Sequence, residues 1–290
     1  QVSSYPYEED FESPSVYQQA PQSCDLATPG ATFSDWTQDP NDDGDWRADT
    51  AGTPSTGTGP GSGRVTTGVG IGTDVNPGTT SGTYIYTEGS FPTGANPCSG
   101  SNINILSPYF DFSATGKFYQ LKFHYHMLGA TMGNLFIDVR AGSTGSWSTS
   151  VWSQIGEKDS AWILDSVNLA NYNTDSIQIR IRAVMGSSWS SDIAIDNFVI
   201  DTFSPVGNEA ILLSSEIVDF EYPIVPLQQH DSMSIRATIR NEGLQDITQT
   251  TVDIAEGSFS SEIALDTINS FSNKTGISSD KYISTSIGDK

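Results

Sequence analysis

The chain has 290 residues and a formal net charge of −22, from 35 acidic and 13 basic side chains, with two cysteines and an aromatic content of 10%. The aromatic content excludes a disordered acidic tail, the charge disfavours nucleic-acid binding, and two cysteines are too few for a disulfide-dense scaffold or a thiolate zinc ribbon. No apolar run approaches the ~20 residues that span a bilayer, so we predict one large or two ordinary domains and no transmembrane segment.

The acidic surplus and the first residues give the first functional indications. Carboxylates attract cations, and calcium is the divalent ion that carboxylate and carbonyl oxygens bind. The chain begins with Gln1-Val2 rather than with methionine, which indicates removal of a signal peptide and therefore secretion. A boundary chosen experimentally is the alternative.

Alternating apolar and polar residues, rather than helical periodicity, dominate the sequence. Segments 118–127, 135–140 and 177–183 each place apolar side chains on one face and polar side chains on the other, which is the pattern of a half-buried strand. In 193–200 both faces are largely apolar, which predicts a strand covered on both sides. Many short strands separated by turn residues predict an all-β sandwich or jelly roll.

Two stretches organise the chain. Segment 50–82 is rich in Gly, Thr, Ser and Pro and is followed at once by a strand pattern, so we interpret it as a long loop inside the first domain rather than a linker. A second boundary near 203–209 divides the chain into two predicted domains, 1–204 and 205–290.

Strand patterns resume over 233–240 in the second domain. This domain is therefore predicted to be a small Ig-like sandwich. It is predicted to be truncated, because such folds usually have ~100 residues.

Several short motifs follow one another in one order over residues 5–203. They are Phe11-Glu12-Ser13, Asp35-Trp36-Thr37-Gln38, Asp42-Asp43-Gly44-Asp45-Trp46, Leu106-Ser107-Pro108, Phe123-His124-Tyr125-His126-Met127, Met132-Gly133-Asn134-Leu135 and Ser191-Asp192-Ile193-Ala194-Ile195-Asp196-Asn197-Phe198. Together they resemble the MAM domain, named for meprin, neuropilin and receptor tyrosine phosphatase mu. The secreted bacterial versions are the most similar, given the long Gly/Thr loop.

The resemblance implies a fold and a class of function. A MAM domain is a jelly roll of two antiparallel sheets and an extracellular, non-catalytic module for adhesion and for contact with protein or glycan. Segments 222–226 and 237–243 more weakly resemble the CARDB-type Ig-like domains of bacteria, which act as spacers or adhesins. The chain departs from the animal MAM pattern, which usually has four cysteines, so that disulfide framework does not carry over.

The acidic segment 39–45 matches the opening of an EF-hand calcium loop, in which alternate oxygen side chains point inward and a glycine permits the turn. The match fails at the twelfth position, where Thr50 replaces the expected Glu. A composite site is the other interpretation, because the first and last strands of a jelly roll often pair and calcium-bearing jelly rolls are similar in this respect. The predicted ligands of a structural calcium ion are Glu12, Asp43, Asp45 and Asp196. A solvated acidic turn beside an ordinary buried aspartate is the alternative.

The two cysteines, Cys24 and Cys98, are predicted to form one disulfide, because unpaired thiols are uncommon in oxidising compartments. Closing so long a loop would contribute roughly 4 kcal/mol in the chain-entropy model. Two free buried thiols are the alternative.

Two tryptophans are candidates for ligand binding. Trp147 and Trp189 lie in Gly/Ser-rich turns, an aromatic ring offers a flat apolar face to a sugar, and loops on a rigid sandwich carry function. Ordinary packing is the alternative.

Repeated Asp-[Ser/Thr]-apolar tripeptides also resemble an O-glycosylation signal of secreted bacterial proteins. Chance occurrence of so short a motif is the alternative.

The search for catalytic motifs is negative. The sequence has no His-Glu-x-x-His pattern, no Gly-x-Ser-x-Gly elbow and no phosphate-binding loop. We therefore expect a secreted or cell-surface adhesion module that recognises protein or glycan, or associates with itself, and that contains structural calcium. The alternatives are a non-catalytic accessory region of a larger secreted enzyme, such as a protease, and a carbohydrate-binding module.

Overall fold

The computed structural model describes residues 1–14, 33, 35–55, 57–61, 73–90, 99–174, 176–205, 207–218, 233–256 and 259–281. The chain divides into two compact units, Gln1–Phe203 and Ser204–Lys290. All regular elements in the described residues are β-strands, which confirms the predicted all-β class. Over the same ranges there is no helix of the length and apolarity that crossing a bilayer requires.

The first unit consists of two antiparallel sheets. Its strands are β1 (Tyr7–Glu9), β2 (Thr37–Gln38), β3 (Arg47–Thr50), β4 (Thr83–Thr87), β5 (Asn102–Phe110), β6 (Phe118–His126), β7 (Asn134–Ala141), β8 (Ser148–Ile155), β9 (Ile163–Asn168), β10 (Ile177–Val184) and β11 (Ile193–Phe203). Sheet I has the order β3-β4-β11-β6-β9, with β1 also paired to β11, and sheet II has the order β2-β5-β10-β7-β8. This arrangement confirms the predicted two-sheet jelly-roll sandwich.

The core lies between the two sheets and follows the alternation of the sequence. In β10, Ile177, Ile179 and Ile181 are fully buried and belong to the same core cluster as Phe123 of sheet I. The residues between them in β10 therefore face outward from sheet II. In β11, Ile193 to Asp196 are all buried, which confirms the strand predicted to be covered on both sides.

The first and last strands of this unit pair, as predicted. Glu9 of β1 is the register partner of Phe198 in β11, and Asp196 lies two residues away in the same strand. The register between β11 and β6 shifts between Asp196 and Val199, a β-bulge that locally interrupts the ladder. The bulge leaves Asn197 in a left-handed conformation, with φ of 50°, directly after the predicted metal ligand Asp196.

The second unit forms two further antiparallel sheets. Its strands are β12 (Ala210–Ile217), β13 (Ile235–Asn241), β14 (Thr250–Glu256), β15 (Phe259–Leu265) and β16 (Asn273–Ile277). One sheet has the order β12-β13-β16 and the other pairs β14 with β15. A small core joins them, with Ala237, Ile239, Ile263, Leu265 and Ile268 buried. Whether this unit is Ig-like and truncated stays a prediction.

Candidate functional site

The predicted calcium ligand Asp196 is buried among backbone amides. One carboxylate oxygen, Oδ2, accepts hydrogen bonds from the Val75 amide at 2.6 Å and the Asn76 amide at 3.3 Å. The other, Oδ1, accepts from the Asn197 amide at 2.6 Å. Burial raises the pKa of Asp196 to about 8, and the charge of Asp74 adds to the rise. Asp196 therefore anchors the loop that precedes β4.

A second buried carboxylate, Asp74, interacts electrostatically with both Asp196 and the predicted ligand Glu12. Its oxygens accept hydrogen bonds from the Thr79 amide at 2.7 Å and the Gly78 amide at 3.2 Å. Glu12 Oε1 accepts from the Thr83 amide at 2.5 Å. The pKa of Glu12 is raised, first by burial and then by repulsion from Asp74. We missed Asp74 in the sequence, although it is the only acidic residue of the Gly/Thr-rich segment 50–82.

The other two predicted ligands belong to the acidic loop, which lies against sheet II. Asp43 donates its amide hydrogen to the Asn102 carbonyl, and its Oδ2 accepts from the Asn102 amide, both at 2.9 Å. Asp45 is in the same loop. Asp74 therefore acts electrostatically on both Glu12 and Asp196, whereas Asp43 is hydrogen-bonded to the first residue of β5. Within the described residues, no group of three or more His, Cys, Asp or Glu side chains is arranged to hold a metal ion.

A further carboxylate pair is buried beside β4 and β11. Asp192 Oδ1 accepts from the Gly89 amide and Glu88 Oε1 accepts from the Ser90 amide, each at 2.8 Å. The second oxygen of each side chain is buried and makes no hydrogen bond within the part of the chain that the structure describes. Burial raises the pKa of Asp192 well above its ordinary value, and the charge of Glu88 raises it further. Asp192 therefore destabilises the fold less when it carries a proton.

The outer face of sheet II carries an ion cluster centred on Asp138 of β7. This fully buried carboxylate accepts hydrogen bonds from Arg180 Nε at 2.9 Å, Arg180 Nη2 at 2.7 Å and Arg182 Nε at 2.8 Å. Arg182 Nη2 at 3.2 Å and the Ser150 amide at 2.7 Å complete its shell. Burial alone would raise the pKa of Asp138, but the hydrogen bonds from Arg182, Ser150 and Arg180 outweigh it and hold the pKa below its ordinary value.

Aromatic rings lie beside the guanidinium groups of the three arginines on this face. The guanidinium carbons of Arg140 and Arg180 lie 4.6 Å and 4.4 Å from the centroid of the Trp147 ring. The guanidinium carbon of Arg182 lies 4.1 Å from the Phe136 ring centroid. These distances are those of cation–π contacts. The ring of Trp147, a predicted ligand-binding candidate, thus contacts two arginine side chains on this face, and its role in ligand binding stays a prediction.

Arg140 is fixed by neutral partners rather than by Asp138. Its Nε and Nη2 donate to Gln178 Oε1 at 3.0 Å and 2.5 Å, and Nη2 also donates to the Tyr109 hydroxyl at 3.3 Å. We name Arg140, Arg180, Arg182, Asp138 and Trp147 together the arginine face. Three arginines and one aspartate give it a formal charge of +2, whereas the whole chain carries −22.

Sequence reasoning missed the three arginines of this face. The available signal was the alternation of Arg180 and Arg182 with buried isoleucines in 177–183, in a chain with only 13 basic residues. The strand register determines which side chains these arginines meet, because Arg180 is opposite Asp138 and Arg182 is opposite Phe136.

The other predicted tryptophan, Trp189, is 47% exposed and lies in the loop between β10 and β11. Cys24 and Cys98 lie outside the described residues, so their disulfide stays a prediction.

These features define a jelly-roll sandwich that carries the arginine face on sheet II. A family model described as "MAM domain, meprin/A5/mu" matches residues 10–203. The chain therefore belongs to the MAM domain family, as its motifs predicted. The secreted bacterial type and the CARDB-like identity of the second unit stay predictions.

The similar curated proteins are much longer than this chain. The rat MAM domain-containing glycosylphosphatidylinositol anchor protein 1 is 32% identical over 165 residues, which cover 57% of this chain and 16% of that protein. Its chicken counterpart is 29% identical over 192 residues, which cover 64% of this chain and 18% of that protein. The chain thus spans less than a fifth of the length of these relatives.

Two solved structures share low sequence identity with the chain. The K1 cleaved adhesin domain of Lys-gingipain from Porphyromonas gingivalis W83 is 12% identical, with a TM-score of 0.41, and the match covers 68% of this chain and 98% of that domain. The CBM22-1-CBM22-2 tandem domain of Paenibacillus barcinonensis Xyn10C is 10% identical, with a TM-score of 0.32, and the match covers 92% of this chain and 87% of that one.

Proposed function

We propose that this chain is a non-catalytic extracellular binding module, secreted or displayed on a cell surface, that recognises protein or glycan through the arginine face. Membership of the MAM family supports the class of function. The observation that carries the assignment of the face is the fixed arrangement of three guanidinium groups around Asp138 and Trp147. Groups that are already ordered bind a ligand at a lower entropic cost.

A combined array of glycans and extracellular proteins tests this proposal. The unmodified chain is expected to bind at least one class of spot, and Trp147→Ala is expected to lose that signal, because the ring holds Arg140 and Arg180 in place. Trp189→Ala is the matched control and is expected to retain it. If Trp189→Ala loses the array signal and Trp147→Ala retains it, recognition lies in the β10–β11 loop instead.

An accessory role in a larger secreted enzyme is the alternative function, and the sequence of the complete gene distinguishes the two.

Structural calcium is the second part of the proposal. Within the described residues, Glu12, Asp74 and Asp196 accept hydrogen bonds from backbone amides alone, and no lysine or arginine balances their charge. A cation would remove the repulsion that raises the pKa of Glu12. Amide hydrogens already point at both oxygens of Asp196, so calcium binding there requires the exchange of at least one of these contacts.

Calcium is expected to raise the melting temperature of the first unit. Saturation at about 100 times Kd adds about 2.7 kcal/mol, which corresponds to roughly 5–10 °C for a unit of this size. All six tryptophans lie in the first unit, so intrinsic fluorescence reports its unfolding alone. Asp74→Asn is expected to abolish the shift, whereas Asp43→Asn, in the acidic loop that is hydrogen-bonded to β5, is expected to preserve it. Equal melting temperatures in calcium and in chelator would refute structural calcium.

A further inference from the structure

We infer that the arginine face binds a polysaccharide that contains uronic acid residues. This inference rests on the proposed function, because it names the ligand class for the same face. A guanidinium group forms charge-assisted hydrogen bonds with carboxylates. A face with three such groups therefore favours ligands that carry several carboxylates.

The three arginines retain donors for a ligand. Their hydrogen bonds within the described residues use only Nε and Nη2 (to Asp138, Ser150, Gln178 and Tyr109). The remaining Nη1 of Arg140, Arg180 and Arg182 makes no hydrogen bond in those ranges, and the side chains of Arg180 and Arg182 are 13% and 16% exposed. Each Nη1 group therefore keeps its donors while the rest of its guanidinium group is held in place.

The position of the face in sheet II favours a glycan over an acidic peptide. An extended peptide gains much of its affinity by adding to the edge of a sheet. The arginines lie on β10 and β7, and each of these strands is already paired on both sides, β10 by β5 and β7, and β7 by β10 and β8. No strand edge is therefore available beside the arginines, and recognition must use side chains.

The charge distribution favours a glycan of low charge density. The arginine face carries +2, but the rest of the chain is strongly negative and repels polyanions. Its border on β5 is also acidic, because Asp39 Oδ2 accepts from Asn104 Nδ2 at 3.2 Å and Asn104 is the register partner of Arg182. A chain with one carboxylate per disaccharide approaches the three arginines at less electrostatic cost than a densely sulfated chain.

Titration calorimetry of the full chain with four probes tests this inference at low ionic strength, where charge contributes most. The probes are a hyaluronan decasaccharide, a heparin decasaccharide, a neutral N-acetylglucosamine hexamer and a polyglutamate peptide. Hyaluronan is expected to bind at least tenfold more tightly than the other three. Arg140→Gln is expected to weaken that binding about tenfold, the typical effect of losing one charge-assisted contact.

The choice of variants separates specific recognition from general charge. Arg140 does not contact Asp138, so its replacement leaves no buried charge unpaired. Arg236→Gln makes the same change of charge in the second unit, where Arg236 is 42% exposed, and is expected to leave affinity within twofold. Equal weakening by both variants, or preference for heparin, the neutral hexamer or polyglutamate, would overturn the inference. If the array shows binding that depends on Trp147 but hyaluronan does not bind, only this inference is overturned. If the array shows no binding that depends on Trp147, the proposed function is overturned as well.

Discussion

Simultaneous replacement of Arg180 and Arg182 by alanine is expected to lower the free energy of unfolding of the first unit by about 3 kcal/mol. Removing the partners of a buried charge typically costs 3–5 kcal/mol, and Asp138 would retain only its hydrogen bond from the Ser150 amide. For a unit of this size the loss corresponds to roughly 6–12 °C in melting temperature. Tryptophan fluorescence during urea or thermal unfolding measures it.

A third substitution tests whether the buried charge causes this loss. Adding Asp138→Asn to the double variant is expected to restore about 1–2 kcal/mol, because the carboxylate would no longer be buried without a cationic partner. Arg182→Lys, which keeps the charge but loses the planar fork, is expected to have an intermediate effect. If the triple variant is less stable than the double variant, packing rather than charge accounts for the loss.

Raising the pH from 6.5 to 8 is expected to destabilise the first unit by about 2–4 kcal/mol. The folded-state pKa values of Asp42 and Asp196 are raised, chiefly by burial, to about 7 and about 8, and that of Asp192 is raised well above its ordinary value. A raised pKa stabilises the fold at low pH, and the contribution is lost as the pH rises through the folded-state value. Each retained proton contributes about 1.4 kcal/mol per pH unit.

Most of the opposing effect of two histidines lies below this pH range. Burial lowers the pKa of His126 to about 4 and also lowers that of His124, so both destabilise the fold mainly as the pH falls through their ordinary value near 6.5. The measurement is unfolding in chelator, followed by tryptophan fluorescence. Asp192→Asn is expected to raise the free energy of unfolding of the first unit by about 1–3 kcal/mol at pH 8, because Asp192 Oδ2 is buried without a hydrogen-bond partner among the described residues. Stability that is constant or increases over this range would contradict the assignment.

The sequence predicted those parts of the fold that depend on alternation within one strand. The isoleucines of β10 and the doubly covered start of β11 follow from spacing alone, because neighbouring strand residues point to opposite faces. The pairing of the first and last strands was predicted from the jelly-roll pattern. This pairing led to the prediction that Glu12 and Asp196 lie close together.

The parts that the sequence did not predict depend on contacts between distant segments. Asp74 joins Glu12 to Asp196 only because the loop before β4 folds back over β11. The arginine face requires the register that sets Arg180 opposite Asp138, and no local pattern specifies which strands are neighbours. Trp147 was found as a candidate from its turn, but its contacts with Arg140 and Arg180 became evident only from the structure.

The most direct test of recognition by the arginine face is a nuclear magnetic resonance titration of the labelled chain with a hyaluronan decasaccharide. The guanidinium Nε–H signals of Arg140, Arg180 and Arg182 and the indole signal of Trp147 are expected to shift together at saturation. The signals of Trp189 and Arg236 are expected to stay in place. Shifts at Trp189 or Arg236, with no change at the three arginines, would contradict the account.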